Sequence, residues 1–329
     1  MGNVEHLNNT LRAAVVCVLG SAWLACAAAP LATEAAETAP TGTHIVPQGT
    51  MPYVGSEYLY AAPTTIDHIG RIMAPVMING QGPFRFIVDT GASRSAISPS
   101  LAERLGLVPS IEDSLTVQGV TGADQVPSVM IDKLQAGDLL LEHRRVPVIA
   151  PHVFANADGI LGVEGFDQMR ITVDFVKDRI FIARERKAYM SGGWFQVPVK
   201  LRFGRLMIAD AYIGKVRVKA VIDTGAERTL GNLALRTALR LDHAAQQERT
   251  ETQVIGATAN EEDANLIPSP MIRLGQTEIT RVDVTFADLN VFRIWDLDQQ
   301  PALVLGMDVL GTSKAMIFDY KRKELLIRP

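Results

Sequence analysis

Two stretches of the chain decide the fold: Phe86-Ile87-Val88-Asp89-Thr90-Gly91-Ala92-Ser93 and Ala220-Val221-Ile222-Asp223-Thr224-Gly225-Ala226-Glu227. Each is an apolar run, typical of a buried strand, that ends in Asp-Thr-Gly. A single Asp-Thr-Gly is compatible with a strand that ends in an Asx-type turn, in which glycine supplies a positive φ. Two copies in matching settings favour another interpretation, because two carboxylates can then meet at one site. Like charges cannot both ionise at close range, so one carboxyl keeps its proton while the other is a base.

The segments that follow the two copies also match. A short helix is predicted within 97–107, with Ser98 as its N-cap, and a counterpart within 231–241 has leucines at similar spacing. Later, each half has two aliphatic residues before a glycine, at Ile160-Leu161-Gly162 and Val304-Leu305-Gly306, and then a closing strand around 173–175 or 317–319. Because the order of these motifs is the same in both halves, the sequence indicates an internal duplication.

The remaining pattern is mainly that of strands. Residues 216–222 alternate apolar and basic side chains and then become fully apolar, as a strand does when it passes from the surface of a sheet into the core. Residues 77–80 and 212–215 predict hairpin turns, one ahead of each Asp-Thr-Gly. Both motifs are therefore expected to follow hairpins.

With these motifs the chain resembles a two-lobed aspartic protease, each half being similar to a retropepsin-type unit. The resemblance covers residues 65–329 and depends on the Asp-Thr-Gly-Ala motifs together with the downstream aliphatic-aliphatic-Gly segments. It implies an all-β fold of two acid-protease-like β-barrel lobes, with the active site between them. We place the N-terminal lobe at 65–185, a linker at 186–193 and the C-terminal lobe at 194–329.

The resemblance also implies roles for the residues of the two motifs. Asp89 and Asp223 become the catalytic dyad, and the hydroxyls of Thr90 and Thr224 bond across the lobe interface. The family's aliphatic-Gly segments pack behind the catalytic loops. Two glycines, which let the backbone approach the carboxylates closely, complete the supporting set: Gly91 and Gly225.

Several positions distinguish this chain from the pepsin branch. Ala92 and Ala226 follow the Asp-Thr-Gly motifs, as in retropepsins, where pepsins usually have serine or threonine. No tyrosine lies between 117 and 130, so the predicted flap uses Gly119, Val120, Thr121 and Gly122 through backbone and aliphatic contacts. A second flap at Ile255, Gly256 and Ala257 remains an open alternative. Glu227 either contacts substrate backbone, as acidic residues there often do in retropepsins, or is a solvated turn residue.

The predicted function is that of an exported aspartic endopeptidase acting on peptide or protein substrates. Two complete halves make a monomer the simplest active form, although activity only as a dimer of chains is an alternative. A catalytically silent peptide-binding or scaffolding protein of the same fold is another. Because both Asp-Thr-Gly copies are intact, we favour catalysis.

Other chemistries have little support in the sequence. The formal charge of −4 provides no basic field for nucleic acid. No cofactor or metal is expected, because no two of the six histidines are four residues apart and no cysteine cluster accompanies them. There is no Gly-x-Ser-x-Gly elbow and no phosphate loop. Asp158 and Asp308, beside the aliphatic-Gly segments, are interpreted as backbone caps and not as further catalytic acids.

The N-terminus indicates export. Residues 13–29 are apolar, rich in small residues and soon followed by Pro30, which predicts a signal peptide over 1–27 and a flexible tether over 28–64. The expected destination is the periplasm or the exterior, with lipid attachment at Cys26 or an uncleaved membrane anchor as alternatives. Both cysteines, Cys17 and Cys26, lie in this leader, so the predicted mature chain contains no disulfide and no thiol nucleophile.

Overall fold

The computed structural model describes residues 70–154, 156–185, 192–241, 250–258 and 260–329, together with two short strands, β1 (Arg12–Ala14) and β2 (Ala62–Pro63). The predicted signal peptide, with its cysteines, and the predicted tether lie outside the described residues except for these strands. Of the predicted linker, only residues 192 and 193 are described. Among the described residues, no helix is long and apolar enough to span a membrane.

The first half forms a seven-stranded sheet in the order β5-β9-β4-β3-β7-β6, with β8 paired to β7. Its strands are β3 (Met73–Ile78), β4 (Gln81–Val88), β5 (Ala96–Ile97), β6 (Ser110–Gln118), β7 (Ala123–Ala136), β8 (Leu139–Pro147) and β9 (Gly159–Leu161). Its helices are α1 (Pro99–Arg104) and two 3-10 helices, Pro151–Val153 and Phe166–Gln168.

The second half belongs to a sixteen-stranded sheet that also includes strands from the first half. Strands β10 (Met169–Asp174) and β11 (Arg179–Arg184) come from the first half, and β1 and β2 are the two end strands of the sheet. The second half supplies β12 (Phe195–Arg202), β13 (Leu206–Ile213), β14 (Val216–Ile222), β15 (Leu230–Gly231), β16 (Thr250–Ile255), β17 (Glu261–Ser269), β18 (Ile272–Leu274), β19 (Thr277–Ile279), β20 (Val282–Phe286), β21 (Ala302–Leu305), β22 (Ala315–Asp319) and β23 (Glu324–Arg328). Its helices are α2 (Leu233–Ala238), α3 (Asn290–Ile294) and α4 (Met307–Leu310).

The two halves repeat the same local topology. In the first, β4 leads to Asp89, pairs in parallel with β9, and β5 pairs antiparallel with β9. In the second, β14 leads to Asp223, pairs in parallel with β21, and β15 pairs antiparallel with β21. The predicted all-β fold of two similar lobes is confirmed.

The strand that precedes Asp223 shows why its pattern becomes fully apolar. Val218, Ala220 and Ile222 pack into a large cluster on one face of the sheet, whereas Val221 packs on the other face in the cluster that contains Trp295. A strand covered on both faces loses the alternation of polar and apolar residues. The predicted passage from sheet surface to core is therefore confirmed.

The two predicted short helices are present but shorter than their sequence windows. Ser98 caps α1 by accepting a hydrogen bond from the Leu101 N–H at 3.1 Å. Gly106 ends the turn with φ +66°, and the Leu107 N–H bonds back to the Ala102 carbonyl at 2.9 Å. In the second half, Asn232 takes the place of Ser98 and caps α2 through the Leu235 N–H at 2.8 Å.

A base sheet, which we define as β11-β10-β22-β23, joins the two halves. Its central strands pair antiparallel, with Arg170 opposite Asp319 and Asp174 opposite Ala315. The Arg170 guanidinium also donates to the fully buried Asp319 carboxylate at 2.7 and 3.0 Å. The closing strands of the two halves are thus direct neighbours in one sheet.

Candidate active site

The two Asp-Thr-Gly loops are each supported from behind by an aliphatic-Gly segment. The Asp89 N–H bonds to the Leu161 carbonyl at 3.0 Å, and the Asp223 N–H bonds to the Leu305 carbonyl at 3.1 Å. Beyond each glycine the chain bonds again to its loop, through Val163 to the Ala92 carbonyl at 2.9 Å and through Met307 to Ala226 at 2.8 Å. The packing implied by the resemblance is present in both halves.

Glycine is required at Gly162 and Gly306 by the closeness of these contacts. A Cβ at Gly162 would overlap the backbone of Arg94, and one at Gly306 would overlap the backbone of Arg228. The glycines therefore allow each support segment to lie directly against its loop.

Thr90 and Thr224 join the two loops to each other. The Thr90 hydroxyl donates to the Ile222 carbonyl at 2.8 Å and accepts from the Thr224 N–H at 3.0 Å. The Thr224 hydroxyl donates to the Val88 carbonyl at 2.6 Å and accepts from the Thr90 N–H at 3.1 Å. All four hydrogen bonds are buried and connect the two halves, so they fix the position of one loop relative to the other.

The two carboxyl groups lie against each other's loops. Asp89 and Asp223 are both fully buried, and each accepts the N–H of the glycine two residues later at 2.8 Å. A Cβ at Gly91 would overlap the Asp223 carboxyl, and a Cβ at Gly225 would overlap that of Asp89. The geometry therefore brings both aspartates, with both glycines and both threonines, to a single site.

Burial and the neighbouring acid perturb the ionisation of this pair. The pKa of Asp89 is raised well above its ordinary value, first by burial, then by the negative charge of Asp223 and by a hydrogen bond to its side chain. Backbone N–H groups of Gly91 and Ala92 act in the opposite direction. Asp89 Oδ2 has no hydrogen-bond partner among the described residues. If both carboxyls were ionised, neither could donate a hydrogen bond to this atom, whereas a single proton held between the two carboxyls provides its partner. The site thus favours one shared proton.

Asp158 and Asp308 are backbone caps, as predicted. Asp158 accepts the Arg85 N–H at 2.8 Å and pairs with Arg104 at 2.6 Å. Asp308 accepts the N–H and hydroxyl of Thr229 at 2.9 and 2.8 Å. Burial raises the pKa of Asp308. Neither acid is a further member of the pair.

Sequence reasoning missed Glu164, the counterpart of Asp308. Its carboxylate accepts the Ser95 N–H at 2.7 Å, and the Ser95 hydroxyl accepts the Gly162 N–H at 3.1 Å. Burial raises the pKa of Glu164 as well. The signal was available, because an acid stands two residues after the support glycine in both halves.

Two hairpin tips meet one another: residues 119–122 between β6 and β7, and residues 256–258 and 260 between β16 and β17. The Gly119 N–H closes the first turn on the Gly122 carbonyl at 2.6 Å. The Thr121 hydroxyl lies 3.2 Å from that of Thr258 and donates to the Asn260 carbonyl at 2.8 Å. Both predicted flap segments therefore form hairpins, with Ile255 as the last residue of β16.

Each tip also packs into the opposite half. Val120 is fully buried in the second half's cluster with Trp295, and its carbonyl accepts the Val291 N–H at 3.3 Å. Ala257 is buried in the first half's cluster with Ile87 and Phe154. The tip of each hairpin is thus buried in the hydrophobic cluster of the opposite half.

No group of three or more His, Cys, Asp or Glu side chains that could hold a metal ion occurs among the described residues.

Comparison with known proteins accounts for both halves. A family model described as aspartyl protease matches residues 74–164 and 209–309, which together are more than half of the chain. A comparison with curated proteins finds no match. Each matched segment contains one Asp-Thr-Gly and one aliphatic-Gly support, the elements that meet at the paired carboxyls. The chain belongs to the aspartyl protease family, of the retropepsin-like kind.

Proposed function

We propose that the protein is an exported aspartic endopeptidase in which Asp89 and Asp223 activate a water molecule against a peptide bond. The observation that carries this proposal is the pair of buried carboxyls in matching loops, linked from below by four hydrogen bonds of Thr90 and Thr224. Because two adjacent carboxyls do not both ionise, one keeps its proton and acts as an acid while the other is ionised and acts as a base.

In the proposed reaction, the ionised carboxyl takes a proton from water as the water oxygen attacks the substrate carbonyl carbon. The protonated carboxyl donates to the carbonyl oxygen, and a proton then passes to the leaving amine as the C–N bond breaks. No acyl-enzyme forms. The glycine N–H bonds at 2.8 Å orient each carboxylate for this exchange.

We further propose that the hairpin tips act as two flaps over the substrate. Both aspartates are fully buried while Thr121 bonds to Asn260 and lies against Thr258, so substrate entry requires these contacts to separate. Bound peptide would then take the place of the tip-to-tip contacts. Each half supplies one loop and one tip, which supports activity as a monomer. Export to the periplasm or beyond, with lipidation at Cys26 as an alternative, rests on the N-terminal sequence alone.

The decisive experiment compares Asp89→Asn, Asp223→Asn and Asp132→Asn, the last being an exposed carboxyl on β7. Cleavage of a peptide library is followed from pH 4 to 7, with thermal unfolding as the check on folding. We expect either dyad variant to lose at least about a hundredfold in kcat/KM, because a neutral amide cannot take the proton from water. Asp132→Asn should keep wild-type activity.

Retention of more than about a tenth of the activity by a folded dyad variant would remove the assignment of these aspartates. If the wild type binds library peptides but cleaves none, and the dyad variants bind them equally, the protein is a peptide-binding relative that has kept the fold.

A further inference from the structure

A cavity of about 440 Å³ lies away from the paired carboxyls, on the outer face of β12, β13 and β14. Residues 295–297, directly after α3, form its other side, and neither Asp89 nor Asp223 lines it. Its volume is within the range of sites that hold small ligands or single side-chain groups. The proposed function does not use this cavity.

Its charge is unevenly distributed. Lys200 and Arg202 are alternate residues of β12 and lie on its exposed face, and neither side chain makes an ion pair or hydrogen bond within the described part of the chain. Lys219 differs, because its ammonium pairs with Asp210 at 2.6 Å. Asp210 is thus already neutralised, also by Arg217 at 2.8 Å. Although the exposed Asp296 also lines the cavity, two cations remain on one wall.

Apolar side chains also line the cavity. Phe203, Ile208 and Trp295 line it, and the Trp295 ring is fully buried. Trp295 Nε1 has no hydrogen-bond partner among the residues described. A buried indole N–H usually has one, since an unsatisfied donor costs free energy. The cavity therefore combines two cations with the partly exposed ring of Phe203, while Trp295 lines it with almost no accessible surface of its own.

A turn connects the cavity to the Asp89 loop. Phe203 lines the cavity, and its neighbour Gly204 lies against Ser93, four residues after Asp89, so that an added Cβ would meet the Ser93 Cβ at 2.9 Å. Arg205, the next residue, pairs with Asp167 of the first half. The turn that lines the cavity thus also contacts the loop that contains Asp89.

We propose that the cavity binds an acidic side chain, with its apolar neighbour, of an extended peptide outside the scissile region. The carboxylate pairs with Arg202 and Lys200, and the apolar side chain contacts the partly exposed Phe203, next to Trp295. A guanidinium is suited to bidentate contact with a carboxylate. This inference rests on the proposed function for its biological use, but the binding itself can be measured without catalysis.

The binding test uses the Asp223→Asn protein and two probes, acetyl-Phe-Glu-amide and acetyl-Phe-Gln-amide. The indole N–H signal of Trp295 in ¹⁵N NMR, identified by its absence in Trp295→Phe, reports occupancy. We expect the Glu probe to shift this signal at concentrations at least about tenfold lower than the Gln probe, and added salt to weaken binding. Equal binding of the two probes, or no shift with either, would overturn the proposal.

Variants locate the binding. Lys200→Gln/Arg202→Gln should raise the Kd for the Glu probe about tenfold and leave that for the Gln probe unchanged. The control Lys177→Gln/Lys215→Gln removes the same charge from exposed turns and should bind like the parent protein. Loss in both double variants would show a general charge effect and contradict the assigned site.

Cleavage separates this inference from the proposed function. In the active protein, substrates with an acidic residue near one end should lose about tenfold in kcat/KM in Lys200→Gln/Arg202→Gln, whereas neutral substrates should not. If the Glu probe binds but no peptide is cleaved, the cavity assignment stands and the protease proposal fails. If peptides are cleaved without preference and the probes do not bind, the reverse holds.

Discussion

At the residue scale, the chemistry depends on two carboxyls that are buried together. Burial and the charge of Asp223 favour the protonated form of Asp89, whereas the backbone N–H groups of Gly91 and Ala92 favour its ionised form. Ala92 and Ala226 have no hydroxyl to donate to a carboxylate, which removes one influence that lowers a carboxyl pKa. We therefore expect the pair to titrate higher than in relatives with serine or threonine at these positions.

Ala92→Ser tests this expectation. The added hydroxyl donates to the ionised form, so the acidic limb of the pH–rate profile should move down by at least a few tenths of a unit. The wild-type profile should be a bell centred at roughly pH 4 to 6, with limbs that belong to the pair. A wild-type optimum below about pH 3, or an unmoved acidic limb in a folded Ala92→Ser protein, would contradict the expectation.

A second prediction concerns stability and does not depend on activity. Because the folded-state pKa of Asp89 is raised, this residue costs no stability at a pH below the pKa of an unfolded aspartate, where both states are protonated. As the pH rises from that pKa toward the folded-state pKa, the unfolded chain ionises first and the folded state is increasingly destabilised. Asp89→Asn should therefore increase the Tm by at least about 2 °C at pH 7 but not at pH 3.5. Thermal unfolding at both pH values, with Asp132→Asn as control, measures it. A Tm gain that is equal at both pH values would argue against a like-charge pair.

At the element scale, two threonine hydroxyls join the Asp-Thr-Gly loops, because each hydroxyl bonds to a backbone carbonyl and a backbone N–H of the opposite half. Thr90→Val keeps the shape but leaves the Ile222 carbonyl and the Thr224 N–H without their partner, at a cost of about 2–4 kcal/mol. Thr90→Ser keeps the hydroxyl and should cost less than half as much. Urea unfolding of both variants gives the comparison. Equal losses would mean that the methyl packing, and not the bonding, stabilises the loops.

The hairpin tips give the second element-scale prediction. Thr121→Val removes the bond to Asn260 and the contact with Thr258, so both tips should separate more often. Hydrogen–deuterium exchange of 119–122 and 256–258 should then accelerate together. Thr116→Val, which removes only an exposed bond from Gln125 on the same hairpin, should leave exchange at 256–258 unchanged. Faster exchange in the first tip alone would mean that the tips open independently.

Local features of these elements were predictable from the sequence, whereas the packing of each hairpin tip into the opposite half was not. The two loops, their feeding hairpins, α1 and the caps at Asp158 and Asp308 depend on neighbouring residues and on period-two patterns. Val120 is predicted from the sequence as a flap residue that makes aliphatic contacts, but its burial against the other half is not predictable, because its surroundings come from Trp295 and other distant residues. Contacts between segments far apart in sequence leave no local pattern.

At the scale of the whole molecule, the halves are joined at the base as well as at the loops and tips. Arg170 of the first half bonds to the buried Asp319 of the second, and Glu185 lies beside it, 2.8 Å from Arg322. The charges of both halves are therefore interleaved across β10 and β22. Strands β10 and β22 follow the support segments of Asp89 and Asp223 along the chain, and the charged network lies on these strands. A stable base sheet is therefore expected to favour correct pairing of the two loops.

Arg170→Met tests that coupling. It leaves Asp319 buried with Arg322 Nε at 3.9 Å as its nearest remaining cation, so we expect a loss of about 3 kcal/mol in the free energy of unfolding. Arg170→Met/Asp319→Asn removes the uncompensated charge and should recover at least half of that loss, because the cost lies in the unpaired carboxylate and not in the missing guanidinium. Urea unfolding is followed in a Trp23→Phe/Trp194→Phe background, in which Trp295 of the second half is the remaining tryptophan. Comparison of its fluorescence with far-ultraviolet circular dichroism shows whether the halves unfold together. If the double variant is no more stable than Arg170→Met, or if neither differs from the wild type, the base network does not couple the halves, and their association depends on the loops and tips alone.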